Sequence, residues 1–215
     1  MKKYKYIAFD LDGTLTDPEA GLTSGFAYAL TKMGLPFEDK KSLCRFIGPP
    51  LKAEFCSAYN LSDADGEECV RLFREYFAVY GWWDNRLYDG IPEMLERLKA
   101  DGKILVLATS KPEVFAKKIL RLFDIEKYFD FVGAATLDHS RVEKTDILEY
   151  ALSAVGAEKE SSILIGDRIY DAKGAKGAKI DSLGVLWGHG TKAEIESAGF
   201  TYTASQVSDI IKILN

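Results

Sequence analysis

Four acidic positions, a hydroxyl pair and two lysines stand out because of where they fall relative to short apolar runs. Asp10-Leu11-Asp12-Gly13-Thr14 follows Tyr6-Ile7-Ala8-Phe9, Thr109-Ser110-Lys111 follows Ile104 to Ala108, and Gly166-Asp167-Arg168-Ile169-Tyr170-Asp171 follows Ile163 to Ile165. Lys144 opens a helical stretch after a further apolar run, Phe129 to Val132. Carboxylates gathered at one point repel one another unless a cation sits among them, and an all-oxygen donor set suits Mg²⁺ better than zinc or copper. A magnesium ion beside a lysine and backbone amides makes a site for a phosphate dianion, with the amides after the first run, at Leu11 and Asp12, able to point at its oxygens.

Two aspartates one residue apart at the mouth of a strand turn can face one ligand from different surroundings. Asp10, beside the metal and near Lys144, is expected to stay ionised and attack phosphorus in line, forming an aspartyl phosphate. Asp12 is expected to hold a proton for the leaving oxygen and later to remove one from water. Gly13 lets the backbone turn sharply there.

The elements that must position these groups follow from the same runs. Together with Leu183 to Trp187 they are short, mostly continuous and bounded by Gly, Asp, Thr or Ser, which is the pattern of buried parallel strands. Segments with helical spacing lie between them, so the expected fold is α/β, a doubly wound parallel sheet. In such sheets ligands bind beyond the carboxyl ends of the strands, where the strand order reverses. The rhythm breaks from Asp17 to about Arg86, where Phe26, Ala29, Leu30 and Met33, then Val70, Phe73, Phe77 and Tyr80, keep helical spacing without a strand. Residues 17–86 are therefore expected to form an inserted helical cap, and 1–16 with 87–215 the catalytic core. Ser62 before Asp63 and Asp65 reads as a helix N-cap, and Gly48-Pro49-Pro50 must break any helix.

The ordered set Asp10-x-Asp12-Gly-Thr14, Thr109, Lys144 and Gly166-Asp167-x-x-x-Asp171 resembles the four motifs of the haloacid dehalogenase-like phosphohydrolases, over the whole chain and with the insert where one of that superfamily's cap types belongs. The segments Phe46-Ile47-Gly48-Pro49-Pro50-Leu51, Tyr88-Asp89-Gly90-Ile91-Pro92, Ala108-Thr109-Ser110-Lys111-Pro112 and Ile165-Gly166-Asp167-Arg168 are similar to the phosphoglycolate phosphatase group and its 5'-nucleotidase relatives. The resemblance implies a Rossmann-like core, Asp10 as nucleophile, Asp12 as acid/base, and Thr109 and Lys144 on the phosphate. It also implies Mg²⁺ held by the carboxylates of Asp10 and Asp167 and the main-chain carbonyl of Asp12, with Asp171 in support. The chain differs at Ser110 and Thr145, where many relatives have Asn and Pro; both can preserve the essential groups.

Other residues carry weaker expectations. Lys111 reads as surface or helix-end charge, and His139 and His189 as loop residues, although Gly188-His189-Gly190 leaves the fifth strand on the side of the site. Ser110 is either a phosphate contact or a helix cap. Arg45 and the turn at Gly48 are the features of the insert expected to face substrate. Phe77, Tyr80, Trp82 and Trp83 read as packing between insert and core.

The chain has 215 residues, 47% hydrophobic and 28% charged, with a formal charge of -5 and a pI near 5.2. That excludes a disordered chain and a general affinity for nucleic acid polymers or anionic membranes. The expected partner is a small phosphorylated metabolite, the expected location the cytoplasm, and the expected assembly a monomer or homodimer. Cys44, Cys56 and Cys69 are expected to be reduced, buried thiols.

The expected function is hydrolysis of a small phosphate monoester, phosphoglycolate or a nucleoside 5'-monophosphate. Phosphoglycolate would want an extra cation, for which Arg45 or Lys52 is available, and a nucleotide an aromatic slot; both fit. A sugar phosphomutase shares the core chemistry. A non-catalytic phospho-receiver module fits less well, because its acidic pair and phosphorylated Asp would come in a different chain order.

Overall fold

The computed structural model describes residues 4–48, 50–138 and 140–214. Pro49 and His139, named above, lie outside the described residues. The chain divides into two units, one running through Asp17 and resuming at Leu87, the other spanning Pro18–Arg86.

Along the chain, β1 (Tyr6–Phe9) and β2 (Thr16–Asp17) precede α1 (Glu19–Lys32), α2 (Leu51–Tyr59) and α3 (Asp63–Tyr76) of the second unit, and β3 (Arg86–Leu87) pairs with β2. There follow α4 (Ile91–Ala100), β4 (Ile104–Pro112), α5 (Glu113–Leu122), β5 (Phe131–Ala135), α6 (Lys144–Ala154) and β6 (Ser162–Gly166). The chain continues through α7 (Ile169–Ala178), β7 (Asp181–Val185), α8 (Lys192–Ser197), β8 (Tyr202–Ala204) and α9 (Val207–Leu214).

Six strands form one sheet in the order β5-β4-β1-β6-β7-β8, with every pairing parallel. β1 is continuously apolar and wholly buried because helices cover both faces of a parallel sheet. Alternation then sends Tyr6 and Ala8 to one face. There they pack with Val106, Ala108 and Leu164 of the neighbouring strands against Ile147, Leu148 and Ala151 of α6 and Ala175 of α7. The strand order builds outward from β1 in both directions, so the carboxyl end of β1 lies between those of β4 and β6. Asp10 leaves the sheet at that switch point.

Several features differ from expectation: the strand read at Phe129 to Val132 is Phe131–Ala135, and the one read at Leu183 to Trp187 is Asp181–Val185, because the flanking turns, not the apolar run, set where pairing begins and ends. β8 escapes the sequence pattern because it is a three-residue edge strand with one exposed residue, so it carries no apolar run. β4 extends through Thr109, Ser110 and Lys111 to Pro112, with a register shift against β5 between Thr109 and Pro112.

The Pro18–Arg86 unit is helical around Phe26, whose ring lies 5.0 Å from Phe73, 5.7 Å from Phe46 and 6.1 Å from Phe55. Ser62 caps α3, its hydroxyl accepting from the Asp65 amide at 3.2 Å. Pro50 directly precedes α2, and the chain after α3 forms a π-helical turn, Phe77–Gly81. Phe77 is buried and stacks on Phe73, while Tyr80, whose ring lies 5.4 Å from that of Tyr76, and Trp83 are more than half exposed. No disulfide joins the cysteines; only Cys69 is fully buried, while Cys44 and Cys56 are partly exposed. Among the described residues no helix is long and apolar enough to cross a membrane.

Candidate active site

Asp10 is anchored at the end of β1 by its own amide, which donates to Ile165 O of β6 at 2.9 Å. The next residues fold back tightly: the buried Leu11 offers its carbonyl to the amides of Thr14, Leu15 and Thr16 at 3.3, 2.9 and 3.0 Å. Gly13 has φ +81°, and a Cβ there would stand 2.1 Å from Asp167 Oδ2, so both conformation and space demand glycine. This close approach brings the loop after β1 onto the loop after β6.

Asp167 and Asp171 are each 1% exposed. Asp171 caps α7 by accepting from the Arg168 amide at 3.0 Å through Oδ2. Asp167 Oδ2 accepts from the His189 amide at 2.8 Å, whereas its Oδ1 is buried with no hydrogen-bond partner among the described residues. Burial first, then repulsion from Asp171 and Asp10, push the Asp167 carboxyl well above the usual range. Asp10, Asp167 and Asp171 each contribute an oxygen within 4.8 Å of the others.

Lys144, first residue of α6, reaches into this cluster. Its ammonium lies 2.9 Å from Asp10 Oδ1 and 2.8 Å from Asp171 Oδ1, and donates to Ala108 O at 3.1 Å. Burial alone would lower its pKa, but the carboxylates of Asp10 and Asp171 outweigh that and hold it above the ordinary lysine value.

Thr109 is buried, and its Oγ1 accepts from the Lys111 amide at 3.2 Å, so its O–H is available to donate elsewhere. Ser110 points the other way and is exposed, and Glu113 starts the following helix. Lys111 corrects the sequence reading: it is no surface charge, being 7% exposed, and its ammonium pairs with Asp12 Oδ2. Arg45 and Gly48 lie in the Pro18–Arg86 unit, both exposed, with the Arg45 guanidinium 4.8 Å from the centre of the Phe46 ring and Gly48 at φ +106°.

The Haloacid dehalogenase-like hydrolase family model matches residues 7–185, which span Asp10, Asp12, Thr109, Lys111, Lys144, Asp167 and Asp171. The chain belongs to the haloacid dehalogenase-like hydrolases. Within that family it is 38% identical to a 5'-nucleotidase of Pseudomonas aeruginosa, over 99% of this chain and 96% of the relative. It is 37% identical to the tyrosine-protein kinase PtkA of Mycobacterium tuberculosis, over 91% of this chain and 66% of that protein. The crystal structure of a predicted phosphatase from Clostridium acetobutylicum superposes with a TM-score of 0.94 at 40% identity, covering 99% of this chain and 98% of that one.

This haloacid dehalogenase-like hydrolase also uses groups that sequence reasoning passed over. The loop after β7 straps the site: the Trp187 indole donates to Thr14 O at 3.1 Å, and the His189 amide holds Asp167. Cβ atoms at Gly188 or Gly190 would stand 2.3 Å from Gly13 O or 2.0 Å from Asp167 O. The paired glycines around His189 were the signal; what the loop holds is a backbone contact that no residue type announces.

Proposed function

We propose that this protein is a Mg²⁺-dependent phosphatase that hydrolyses a small phosphate monoester through an aspartyl phosphate on Asp10. The convergence of Asp10, Asp167 and Asp171 on Lys144 carries the reading, because it supplies a nucleophile, a cation site and an anion-binding ammonium in one place. The donors fit magnesium. Asp10, Asp167 and Asp171 gather around the single ammonium of Lys144, an acidic excess that a divalent cation offsets. Asp167 Oδ1, buried and without a hydrogen-bond partner among the described residues, is an oxygen that a hard cation would satisfy. Asp10, Asp167 and the Asp12 carbonyl would hold the ion, with Asp171 in support. When bound, it offsets the phosphate charge and draws electron density from phosphorus.

The protein's own groups then act in two steps. Asp10 attacks phosphorus as the bond to the leaving oxygen breaks, and Asp12 gives that oxygen a proton. Water, losing its proton to Asp12, next attacks the aspartyl phosphate, releasing inorganic phosphate and restoring Asp10. Lys144, the Thr109 hydroxyl and the amides of Leu11 and Asp12 bind the phosphoryl oxygens throughout. Ser110, exposed, is left outside this set.

The substrate class is a nucleoside 5'-monophosphate or phosphoglycolate. The relative named 5'-nucleotidase, matched from end to end, supports the first, and the segments similar to the phosphoglycolate phosphatase group support the second. The similarity to a protein named as a tyrosine kinase favours one further reading, in which an acceptor other than water takes the phosphoryl group. Purified protein with Mg²⁺ is to be incubated with nucleoside monophosphates, phosphoglycolate, sugar phosphates and p-nitrophenyl phosphate, alone and with an acceptor. Inorganic phosphate released by the wild type and not by Asp10→Asn supports the phosphatase. Phosphate that appears only on an acceptor supports transfer, and release by Asp10→Asn at the wild-type rate rejects the mechanism.

A further inference from the structure

We infer that Lys111 is the positioning residue for proton transfer at Asp12: it pins one carboxylate oxygen so that the other, Oδ1, carries the proton. The inference rests on the proposed role of Asp12 and goes beyond it in naming the group that sets the carboxyl and the oxygen that acts.

Burial along β4 alternates at the end of the strand, with Thr109 buried, Ser110 exposed and Lys111 buried. Lysine is seldom buried unless paired, and here the side chain is 4% exposed with its ammonium on Asp12 Oδ2. Asp12 lies 99 residues away in sequence. Its second oxygen, Oδ1, is buried and has no hydrogen-bond partner among the described residues. The carboxyl group is thus asymmetric, with one oxygen held by a charge-assisted bond and one buried without a hydrogen-bond partner among the described residues. A group that must deliver a proton to one oxygen and then take one from a water needs a fixed orientation in both steps, and a held Oδ2 removes rotation about the carboxyl bond. Lys144 cannot serve the same purpose, since it is engaged with Asp10, Asp171 and Ala108 O. In the first step the electron pair of the breaking P–O bond stays on the leaving oxygen, which takes the proton from Asp12 Oδ1; in the second, Oδ1 takes one proton of the attacking water.

Leaving groups of different basicity test this. Phenolate, whose conjugate acid has a pKa near that of tyrosine, about 10, gains from a proton as it departs, whereas p-nitrophenolate leaves well without one. The ratio kcat/KM reads steps up to formation of the aspartyl phosphate. Lys111→Met should lower kcat/KM for phenyl phosphate by about tenfold or more beyond its effect on p-nitrophenyl phosphate. Binding of inorganic phosphate, by calorimetry with Mg²⁺ present, should stay within about twofold of wild type, and Lys111→Arg should recover much of the phenyl phosphate rate. Equal losses on both esters, with weakened phosphate binding, would show that Lys111 holds the phosphoryl group instead and would overturn the inference; so would no loss on either. Lys111→Gln, which keeps an N–H donor on a side chain one atom shorter, is measured alongside, so that a Lys111→Met protein that does not fold still leaves the two esters to be compared. Asp10→Asn separates the two levels. If it remains active, the nucleophile reading itself is wrong, whereas an inactive Asp10→Asn with equal losses in Lys111→Met removes only the role of Lys111.

Discussion

The two ends of the central sheet both carry acidic side chains, yet they treat them differently. At the end where strands begin, Asp181 accepts from the Tyr4 hydroxyl at 2.6 Å, and Tyr4 OH also lies 3.2 Å from Tyr202 OH. Asp130 there takes both the Lys99 ammonium, at 2.7 and 2.9 Å, and the Leu105 amide at 2.9 Å. At the end where strands finish, Asp12 and Asp167 each have one oxygen held and one buried oxygen without a hydrogen-bond partner among the described residues. Buried polar groups normally find partners, so the acids at the first end tie the fold together, while those at the second are arranged for something that arrives from solution. Acidic residues alone do not mark a site; incomplete satisfaction does.

The sharpest break of that contrast is a matched pair of substitutions. Asp10→Asn should lower phosphate release by about a thousandfold or more without lowering the melting temperature, because it relieves repulsion with Asp167 and Asp171. Tyr4→Phe should leave turnover unchanged. An Asp10→Asn protein that is active but unstable would erase the distinction.

Next come the lysines. Lys144→Met leaves buried carboxylates uncompensated and should cost about 3–5 kcal/mol in denaturant unfolding without metal. Lys99→Met at the other end, where the ammonium and Asp130 are about a third exposed, should cost under about 1 kcal/mol. Equal costs would mean that the two ends are alike.

Magnesium should act at one end only. At a free concentration about a hundredfold above its dissociation constant it should stabilise the protein by about 2.7 kcal/mol, and Asp167→Ala should abolish the effect. Burial, with Asp171 and Asp10 nearby, raises the Asp167 pKa, so protons compete with the ion and the stabilisation should shrink as pH falls. Thermal unfolding with and without Mg²⁺ at several pH values measures both.

The last effect belongs to Tyr4, whose hydroxyl is pushed above its ordinary value of 10.0 by burial first and then by its bond to Asp181. The unfolded chain ionises Tyr4 near pH 10 while the folded chain keeps it neutral. Its contribution, about 1–2 kcal/mol, is therefore complete below pH 10 and is lost as the pH climbs toward the folded value. Wild-type stability should fall more steeply than that of Tyr4→Phe between about pH 10 and 11; parallel slopes would remove Tyr4 from the account.

Much of this was legible in the residues themselves. Buried parallel strands must be short and apolar, so β1, β4 and β6 announced themselves, and the groups leaving a strand at the switch point had to include Asp10, Asp12 and Asp167. Lys144 was legible because the helix it opens follows a strand. The three-residue β8 was not, since an edge strand needs little apolar sequence to pair. Nor was the fate of Lys111. Its position beside Thr109 is local, but whether it meets solvent or Asp12 depends on a contact across 99 residues.

Sequence by itself thus determined the α/β sheet, the inserted helices and the acids at the strand ends, because periodicity and turn chemistry act over a few residues. Tertiary structure alone decided which oxygen of each acid is held. The Lys111 ammonium takes Asp12 Oδ2 and the His189 amide takes Asp167 Oδ2. Those choices belong to contacts that exist only when separate loops meet, and burial is what makes each of them consequential.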